Sequence, residues 1–321
     1  MESRKELMKR GCRKHGLDEK RNDSLHQPYA WEYLIAKHND VNLVWCNIFK
    51  SASSRLLYFH NIKTIKMVNL IYLNHSNPKF IISVYISSWM YLFNRLAGYT
   101  ENQLKYTVHK PLVAMAREKY PRPSVKNLLE TLESPSTIAF LIARNPYERL
   151  VSGYRDKILG EALTYRSSVY AKLSRNILAK YRQMDLNSYV PGITSPPSFT
   201  EFVRYIVDEV ADSQTLDMHW TPVYSFCNPC QVDLTHIIKL ETFDRDTKWI
   251  VQKANLTNFM PQTASTEGES KLKKNAAKDG QNTSSIVHSY LLELPHEILH
   301  NLNNIYKVDF DIFGYQQITY I

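Results

Sequence analysis

The stretch "TIAFLIARNPYERLVSGYRDK", Thr137–Lys157, decides the fold class. Its apolar beginning, Thr137–Ala143, has the length and β-branched content that are typical of a buried strand. Pro146 then stands where a first helical residue would lie, since its missing N–H costs nothing there and its fixed φ suits a helix. Apolar residues at helical spacing predict one buried face: Tyr147, Leu150, Val151, Tyr154 and Ile158. The stretch therefore predicts a strand, a tight turn and a helix.

Basic side chains surround this predicted turn. Arg144 follows the strand, and three polar residues are expected on or near the other side of the helix: Arg149, Ser152 and Arg155. Free N–H groups and the helix dipole favour an anion at a helix start. Arg144 and Ser152 together suit a phosphate, through a forked charge-assisted bond and a hydroxyl donor. The alternative is a solvated face on which Arg149 pairs with Glu148 or Asp156.

A second junction of this kind is "VNLVWCNIFKSASS", Val41–Ser54. Val41–Phe49 is mainly apolar and predicts a strand. Lys50 ends it, and Ser51–Ser54 then offer hydroxyls and small residues that let backbone amides face a ligand. Such a loop suits a phosphate, although it lacks the glycines of a nucleotide triphosphatase loop.

Bulk composition limits the class of partner. The 321 residues carry a net charge of +9 and are 44% hydrophobic, which is ample for a core. We find no internal repeat and no linker that would divide the chain. A basic surface suits an anionic partner. Because the chain has neither zinc-finger spacing nor a ribonucleoprotein aromatic motif, we expect an anionic glycan and no nucleic acid.

The four cysteines, Cys12, Cys46, Cys227 and Cys230, leave several interpretations open. A metal site at Cys227 and Cys230 would need two further ligands, and His219 and His236 are not obviously placed to supply them. A redox role would need the pair at a helix start after a strand. We expect no metal.

Together the two junctions resemble the 3′-phosphate motif and the 5′-phosphosulfate loop of sulfotransferases. The chain is most similar to the Golgi carbohydrate sulfotransferases of the HNK-1 and chondroitin/dermatan 4-O-sulfotransferase type. Further similar segments follow in family order from about Cys12 onward: "LAGY" (Leu96–Tyr99), "REKYPRPS" (Arg117–Ser124), "HWTPVYSFCNPC" (His219–Cys230), "IIKLETFDRD" (Ile237–Asp246) and "IYKVDFDIFGY" (Ile305–Tyr315). We interpret the last of these as a terminal packing segment. The resemblance also favours a structural disulfide formed in an oxidising lumen, with the pairing left open.

The resemblance implies a single P-loop-like α/β domain, with a central parallel sheet flanked by helices. It implies a carbohydrate O-sulfotransferase that uses 3′-phosphoadenosine-5′-phosphosulfate as co-substrate and needs no metal. Donor-binding residues would be Lys50, Ser51, Ala52, Ser53, Ser54, Arg144 and Ser152. Lys50 would also neutralise the leaving phosphate, and His219 is the candidate general base. Glu201 and Asp217 are weaker candidates for the base.

The resemblance further implies a glycan acceptor on a glycosaminoglycan or glycoprotein, in chondroitin, dermatan or a related chain. It implies a glycoprotein at the lumenal side of the Golgi membrane, and four Asn-x-Ser/Thr sequons are compatible with that. Met1–Ser24 is highly charged, so we expect any membrane anchor to lie outside this chain. We interpret 1–40 as a stem-like segment and 41–321 as the sulfotransferase domain.

Two segments depart from the family pattern. Arg55–Ser87 separates "KSASS" from "SWMYLFNRLAGY" and contains no Asp, Glu, Gly, Ala or Gln, so we hypothesise an in-frame insertion. It could disrupt the donor loop and leave an inactive anion-binding or glycan-binding relative, or it could be a surface excursion that leaves the loop intact. Residues 262–285 are polar and predict a loop. A P-loop kinase is a further alternative, against which the missing Gly-Lys-Ser/Thr argues.

Overall fold

The computed structural model describes residues 2–19, 32–49, 88–105, 111–165, 167–260 and 283–319. A four-stranded sheet lies at its centre, in the order β1-β2-β3-β4. The strands are Tyr33–His38 (β1), Val41–Cys46 (β2), Thr137–Ala143 (β3) and His236–Lys239 (β4). β2, β3 and β4 are parallel, and β1 pairs with β2 in the antiparallel sense. The predicted α/β class is confirmed, with one antiparallel strand added at the edge.

Thirteen helices are described around this sheet. They are Glu2–Lys14 (α1), Ser88–Leu96 (α2), Glu101–Lys105 (α3), Leu112–Lys119 (α4), Val125–Glu133 (α5), Pro146–Asp156 (α6), Val169–Arg182 (α7), Phe199–Ala211 (α8), Val223–Cys227 (α9), Phe243–Lys253 (α10), Thr283–Leu292 (α11), His296–Ile305 (α12) and Lys307–Phe313 (α13). After α6 the chain continues through a π-helical turn, Lys157–Glu161, into a last helical turn, Ala162–Thr164.

The strand–turn–helix unit at β3 and α6 forms as the sequence predicts. All seven residues of β3 are buried. Pro146 is the first helical residue of α6, and the side chain of Asn145 accepts a hydrogen bond from the Tyr147 N–H. The predicted apolar face of the helix is buried. The unit is therefore determined by local sequence signals.

Two predictions about these junctions are wrong. The alternative of a solvated polar side of α6 is wrong, because Arg149 and Arg155 are buried at 2% and 8% exposure and carbonyls of other segments cover the Arg149 guanidinium. The strand predicted to reach Phe49 ends at Cys46. The N–H of Asn47 still donates to the Glu32 carbonyl in the register of β1, but β2 pairs with β3 only as far as Cys46 and Leu141, so the strand loses its parallel partner there.

Both faces of the sheet are covered. Along β2, Leu43 and Trp45 join one cluster while Val44 and Cys46 join the other. This alternation is the pattern of a strand that is buried on both sides. A third cluster is helical and surrounds the apolar face of α6, to which α7, α8, α11 and α12 contribute. These layers hold the carboxyl ends of the parallel strands in fixed positions.

Two disulfides connect distant parts of the chain. Cys12 in α1 bonds to Cys230, and Cys46 at the end of β2 bonds to Cys227 at the end of α9. The neighbouring Cys227 and Cys230 therefore have different partners. α1 packs against α13 and β4, and β1 is itself a strand of the sheet. Both elements fall within 1–40. The boundary between a stem-like segment and a domain stays a prediction.

Several sequence predictions lie outside the described residues. These are the loop Lys50–Ser54, the segment Arg55–Ser87, and positions 262–282 of the polar segment; Thr283–Ser285 begin α11. Within the described ranges, no helix is long and apolar enough to cross a bilayer. In the same ranges, no three His, Cys, Asp or Glu side chains are grouped so that they could hold a metal ion.

Candidate active site at the carboxyl edge of the sheet

The parallel strands bring three chain segments to one edge of the sheet. Asn47–Phe49 follow β2, Arg144 follows β3, and Leu240–Glu241 follow β4. Ligands of open α/β sheets bind at the carboxyl ends of the strands. This edge is therefore the place where the predicted donor residues should meet.

Arg144 is nearly buried at this edge, with a side chain 10% exposed. Its Nε donates to Glu148 Oε2 at 3.3 Å. Burial lowers the pKa of Arg144, while the nearby Glu148, Tyr315 and Glu241 raise it. Ser152 is half-buried and lies one helical turn beyond Glu148, on the same side of α6. Arg144, which precedes α6, therefore contacts Glu148 on the side of the helix that also carries Ser152.

The surroundings of Arg144 include residues to which the sequence assigned no role. The hydroxyl of Tyr315 donates to Glu241 Oε2 at 3.1 Å. Lys239, the last residue of β4, holds its Nζ 4.5 Å from the centre of the Tyr315 ring. All three belong to segments noted for family resemblance, "IIKLETFDRD" and "IYKVDFDIFGY". The family resemblance of these two segments was the sequence signal that could have indicated Lys239, Glu241 and Tyr315.

The other predicted donor-binding residues lie outside the described residues: Lys50, Ser51, Ala52, Ser53 and Ser54. Phe49, which immediately precedes them, is described. Its ring meets the imidazole of His219 edge to face, with 5.1 Å between the ring centres. His219 therefore lies beside the residue that precedes the predicted donor loop.

His219 is buried, and its Nδ1 is engaged by a carboxylate. Nδ1 lies 2.7 Å from Asp217 Oδ1, and the same oxygen accepts the backbone N–H of His219 at 2.8 Å. The hydroxyl of Tyr170 lies 3.0 Å from Nδ1 and 3.3 Å from Asp217 Oδ2. A carboxylate at Nδ1 orients an imidazole and stabilises its protonated form. The arrangement therefore suits a general base.

The titration behaviour of the neighbours fits this arrangement. Burial raises the pKa of Asp217, but hydrogen bonds from His219 and Tyr170 outweigh it, so the net pKa lies below its usual range. Burial, with help from Asp217, raises the pKa of Tyr170 well above its usual range. Asp217 is thus held as a carboxylate, while Tyr170 keeps its proton and can donate it.

Lys157, which directly follows α6, contacts Tyr170 and Glu161. Its Nζ lies 5.0 Å from the centre of the Tyr170 ring and 2.8 Å from Glu161 Oε2. Burial alone would lower the pKa of Lys157, but Asp156 and Glu161 raise it above its usual range. No sequence signal pointed to Tyr170, which lies outside the quoted motifs. Lys157 closes the motif "RDK".

Glu201, the other weak candidate for the base, is engaged in a helix start. It caps α8 together with Ser198, and it forms an ion pair with Arg182 at 2.6 Å. These contacts occupy both of its oxygens. They assign Glu201 a structural task, away from His219.

Two cavities border the turn that carries His219. The larger has a volume of about 970 Å³, and its lining includes Glu32, Gln214, Asp217, Met218, Thr221, Ser225, Asn301 and Asn304. The smaller measures about 310 Å³, and its lining includes Tyr170, Tyr205, Glu209, Asp217 and Trp220. Asp217 lines both cavities. Polar neutral groups and carboxylates, rather than cations, supply the polar lining among the described residues.

Comparisons with known proteins show the family of the chain. A family profile described as Sulfotransferase family matches residues 31–316. Carbohydrate sulfotransferase 14 of Danio rerio is 30% identical over 176 residues, which cover 55% of this chain and 43% of the relative. Carbohydrate sulfotransferase 11 of Mus musculus is 26% identical over 206 residues, which cover 63% and 52%. The zebrafish carbohydrate sulfotransferase 11 is 24% identical over 323 residues, which cover 100% and 77%.

The first two matches span about half the length of the relatives concerned. No solved structure gave a significant match. The family profile covers nearly the whole chain, including the sheet, Arg144 and His219, and the expected resemblance is confirmed. The chain belongs to the sulfotransferase family, and the relatives that it matches are named carbohydrate sulfotransferases.

Proposed function

We propose that the chain transfers a sulfuryl group from 3′-phosphoadenosine-5′-phosphosulfate to a hydroxyl group of a glycan. The observation that supports this most is the contact between Phe49 and His219 at 5.1 Å. It joins the candidate base to the residue that precedes Lys50, at the sheet edge where Arg144 also lies. A donor with two separated phosphates would suit Arg144 together with the cationic loop that the sequence predicts after Phe49.

The donor would be held at both ends. Arg144 and Ser152 would bind the 3′-phosphate, one by a charge-assisted bond and the other by its hydroxyl. Lys50, with Ser51–Ser54 and their backbone amides, would hold the 5′-phosphosulfate. Arg144 would exchange part of its contact with Glu148 for the phosphate, because both bind the same guanidinium.

The transfer step is an in-line displacement, which depends on positioning and on charge stabilisation. The acceptor oxygen bonds to sulfur while the sulfur–oxygen bond to the 5′-phosphate breaks, which leaves adenosine 3′,5′-bisphosphate. Lys50 neutralises the charge that develops on that phosphate. His219 takes the proton of the acceptor hydroxyl, and Asp217 stabilises the resulting imidazolium.

We propose that the acceptor is a glycosaminoglycan or glycoprotein glycan, such as chondroitin or dermatan, in the lumen of the Golgi. The net charge of +9 suits an anionic polymer. The described charged residues in the larger cavity are Glu32 and Asp217, both acidic. Each of them is paired with a basic side chain, Glu32 with Arg117 and Arg122 and Asp217 with His219, so an anionic glycan remains a suitable acceptor there.

A transfer assay tests the proposal. Purified chain is given sulfur-labelled donor and a panel of desulfated glycans, and labelled product is counted. Lys50→Ala and Arg144→Ala should each abolish transfer. Arg204→Ala, at an exposed position of α8, should leave it unchanged. Calorimetry with adenosine 3′,5′-bisphosphate should show binding by the unsubstituted chain and at least 10-fold weaker binding by Arg144→Ala, because a hydrogen bond to a charged group contributes about 1.5–3 kcal/mol.

The same assay is run on a chain that lacks residues 55–87. Normal turnover by a folded Lys50→Ala or Arg144→Ala variant would overturn the donor assignment. If the unsubstituted chain neither binds the bisphosphate nor transfers sulfate, and removal of 55–87 restores neither property, the proposed function is wrong.

A further inference from the structure

Arg149 makes an unusual set of contacts for a helical arginine. Its side chain is buried at 2% exposure, and its guanidinium donates to three backbone carbonyls. Nε bonds to Phe49 O at 2.9 Å, Nη1 to Thr221 O at 2.6 Å and Nη2 to Met218 O at 2.9 Å. All three nitrogens of the fork are used, and two different chain segments supply the acceptors.

Those two segments carry the two halves of the proposed reaction. Phe49 precedes Lys50, where the predicted donor loop begins. Met218 and Thr221 enclose His219, the candidate base. One side chain on α6 therefore fixes the entrance of the donor loop relative to the base, although these residues are 69 to 100 positions away from it in the sequence.

Other contacts also hold the turn around His219. The hydroxyl of Tyr306 donates to the Trp220 carbonyl, and Asp309 accepts the N–H groups of Val223 and Tyr224 at 2.6 and 2.8 Å. These contacts hold the turn to α12 and α13 and do not reach Phe49. The guanidinium of Arg149 differs from them because it joins the turn to the end of β2.

A guanidinium suits this task better than an ammonium does. It presents five N–H donors in a rigid plane, so it reaches three separated carbonyls at once, whereas lysine is a compact charge on a flexible stem. Misplacing a catalytic group by about 1 Å can cost about 100-fold in rate. The geometry of these contacts is thus relevant to catalysis as well as to folding.

We propose that Arg149 is a positioning residue that couples the start of the donor loop to His219, an inference that rests on the proposed transfer function. It touches neither donor nor acceptor. Its substitution should therefore act through the placement of Lys50 and His219, and leave the 3′-phosphate contacts of Arg144 and Ser152 in place.

The test compares Arg149→Lys with Arg4→Lys. Arg4 is a matched control because it also makes several buried bonds, to Ile237 O, Thr242 and Asp246, away from Phe49 and His219. We expect Arg149→Lys to lower kcat about 100-fold while the Kd for adenosine 3′,5′-bisphosphate changes less than 10-fold. Arg4→Lys should lower the unfolding temperature about as much as Arg149→Lys does. Its kcat should stay within about 3-fold of the unsubstituted value.

A second measurement does not depend on activity. The ring signals of His219 are followed by NMR as a function of pH, with His219→Asn used to assign them. Arg149→Lys should shift these signals and their titration, and Arg4→Lys should not. The proposal is overturned if the His219 signals of Arg149→Lys superimpose on those of the unsubstituted chain, or if its kcat is unchanged. An inactive unsubstituted chain that fails to bind the bisphosphate would instead overturn the proposed function.

Discussion

The carboxylate of Asp217 holds the imidazole of His219 in one orientation. It accepts both the ring Nδ1–H and the backbone N–H of His219, at 2.7 and 2.8 Å. The hydroxyl of Tyr170 adds a contact with each partner. Such a carboxylate fixes the tautomer and stabilises the charge that the ring acquires when it takes a proton.

Asp217→Asn should therefore slow transfer without weakening donor binding. The amide cannot stabilise an imidazolium, and it can present an N–H to Nδ1 and so favour the wrong tautomer. We expect kcat to fall by about 10²- to 10⁴-fold, which is the usual contribution of general acid–base catalysis. The Kd for adenosine 3′,5′-bisphosphate should stay within about 3-fold. Asp212→Asn, an exposed aspartate five positions earlier, is the matched control; equal losses in both variants would contradict a role for the pair.

The sequence predicted roles only for residues whose signals are local. Arg144, Ser152 and His219 belong to motifs in which neighbouring residues indicate the chemistry. Tyr170 and Arg149 were missed or misplaced because their partners are far along the chain. Tyr170 meets His219 across 49 positions, and Arg149 reaches Phe49 across 100. A helical pattern shows which side of a helix is apolar, but not that carbonyls of another segment cover its polar side.

At the scale of elements, the end of β2 is joined to the segment that carries His219 and α9. Cys46, the last residue of β2, bonds to Cys227, the last residue of α9. The hydroxyl of Tyr33 in β1 also donates to the Cys227 carbonyl, at 2.7 Å. The second disulfide, between Cys12 and Cys230, joins α1 to the loop after α9 and does not involve β2.

The two disulfides should therefore differ in their effect on catalysis. Each closes a long loop, of 181 or 218 residues, so removal of either should lower the free energy of unfolding by about 2–5 kcal/mol. We expect Cys46→Ser/Cys227→Ser to lower kcat as well, because Phe49 and His219 lose a shared anchor. Cys12→Ser/Cys230→Ser is the control and should keep its kcat. Denaturant unfolding and the transfer assay measure the two effects, and equal kcat values for the two variants would contradict the prediction.

The same elements show which parts of the fold a local sequence pattern can predict and which it cannot. β3 and the start of α6 were predicted because an apolar run, Asn145 and Pro146 determine them within a few residues. The end of β2 was not, because it is set by where the parallel pairing with β3 stops, at Cys46 and Leu141, and β3 lies far along the chain. The disulfide partners of Cys227 and Cys230 depend on where α1 and β2 pack, which no spacing within "CNPC" encodes.

At the scale of the whole molecule, Asp309 joins the C-terminal helices to the active-site turn. It is 1% exposed, and its carboxylate accepts the N–H groups of Val223 and Tyr224 at the start of α9. Burial raises the pKa of Asp309 to about 6, although those hydrogen bonds and the nearby Arg149 lower it. The segment that the sequence analysis interpreted as terminal packing thus also carries a buried ionisable group.

This raised pKa makes the stability of the molecule depend on pH. Between pH 4 and 6 the folded chain keeps a proton on Asp309 that the unfolded chain has lost, so its contribution to stability is full below about pH 4 and is lost as the pH rises through 6. The free energy of unfolding of the unsubstituted chain should therefore fall relative to that of Asp309→Asn across this window, by on the order of 3 kcal/mol. Asp208→Asn is the control. Hydrogen bonds from Lys180 and Tyr181 outweigh burial and lower the pKa of Asp208, so its contribution is lost only below the window. Urea unfolding at half-unit pH steps measures the difference, and a constant or rising difference between the unsubstituted chain and Asp309→Asn would contradict the assignment.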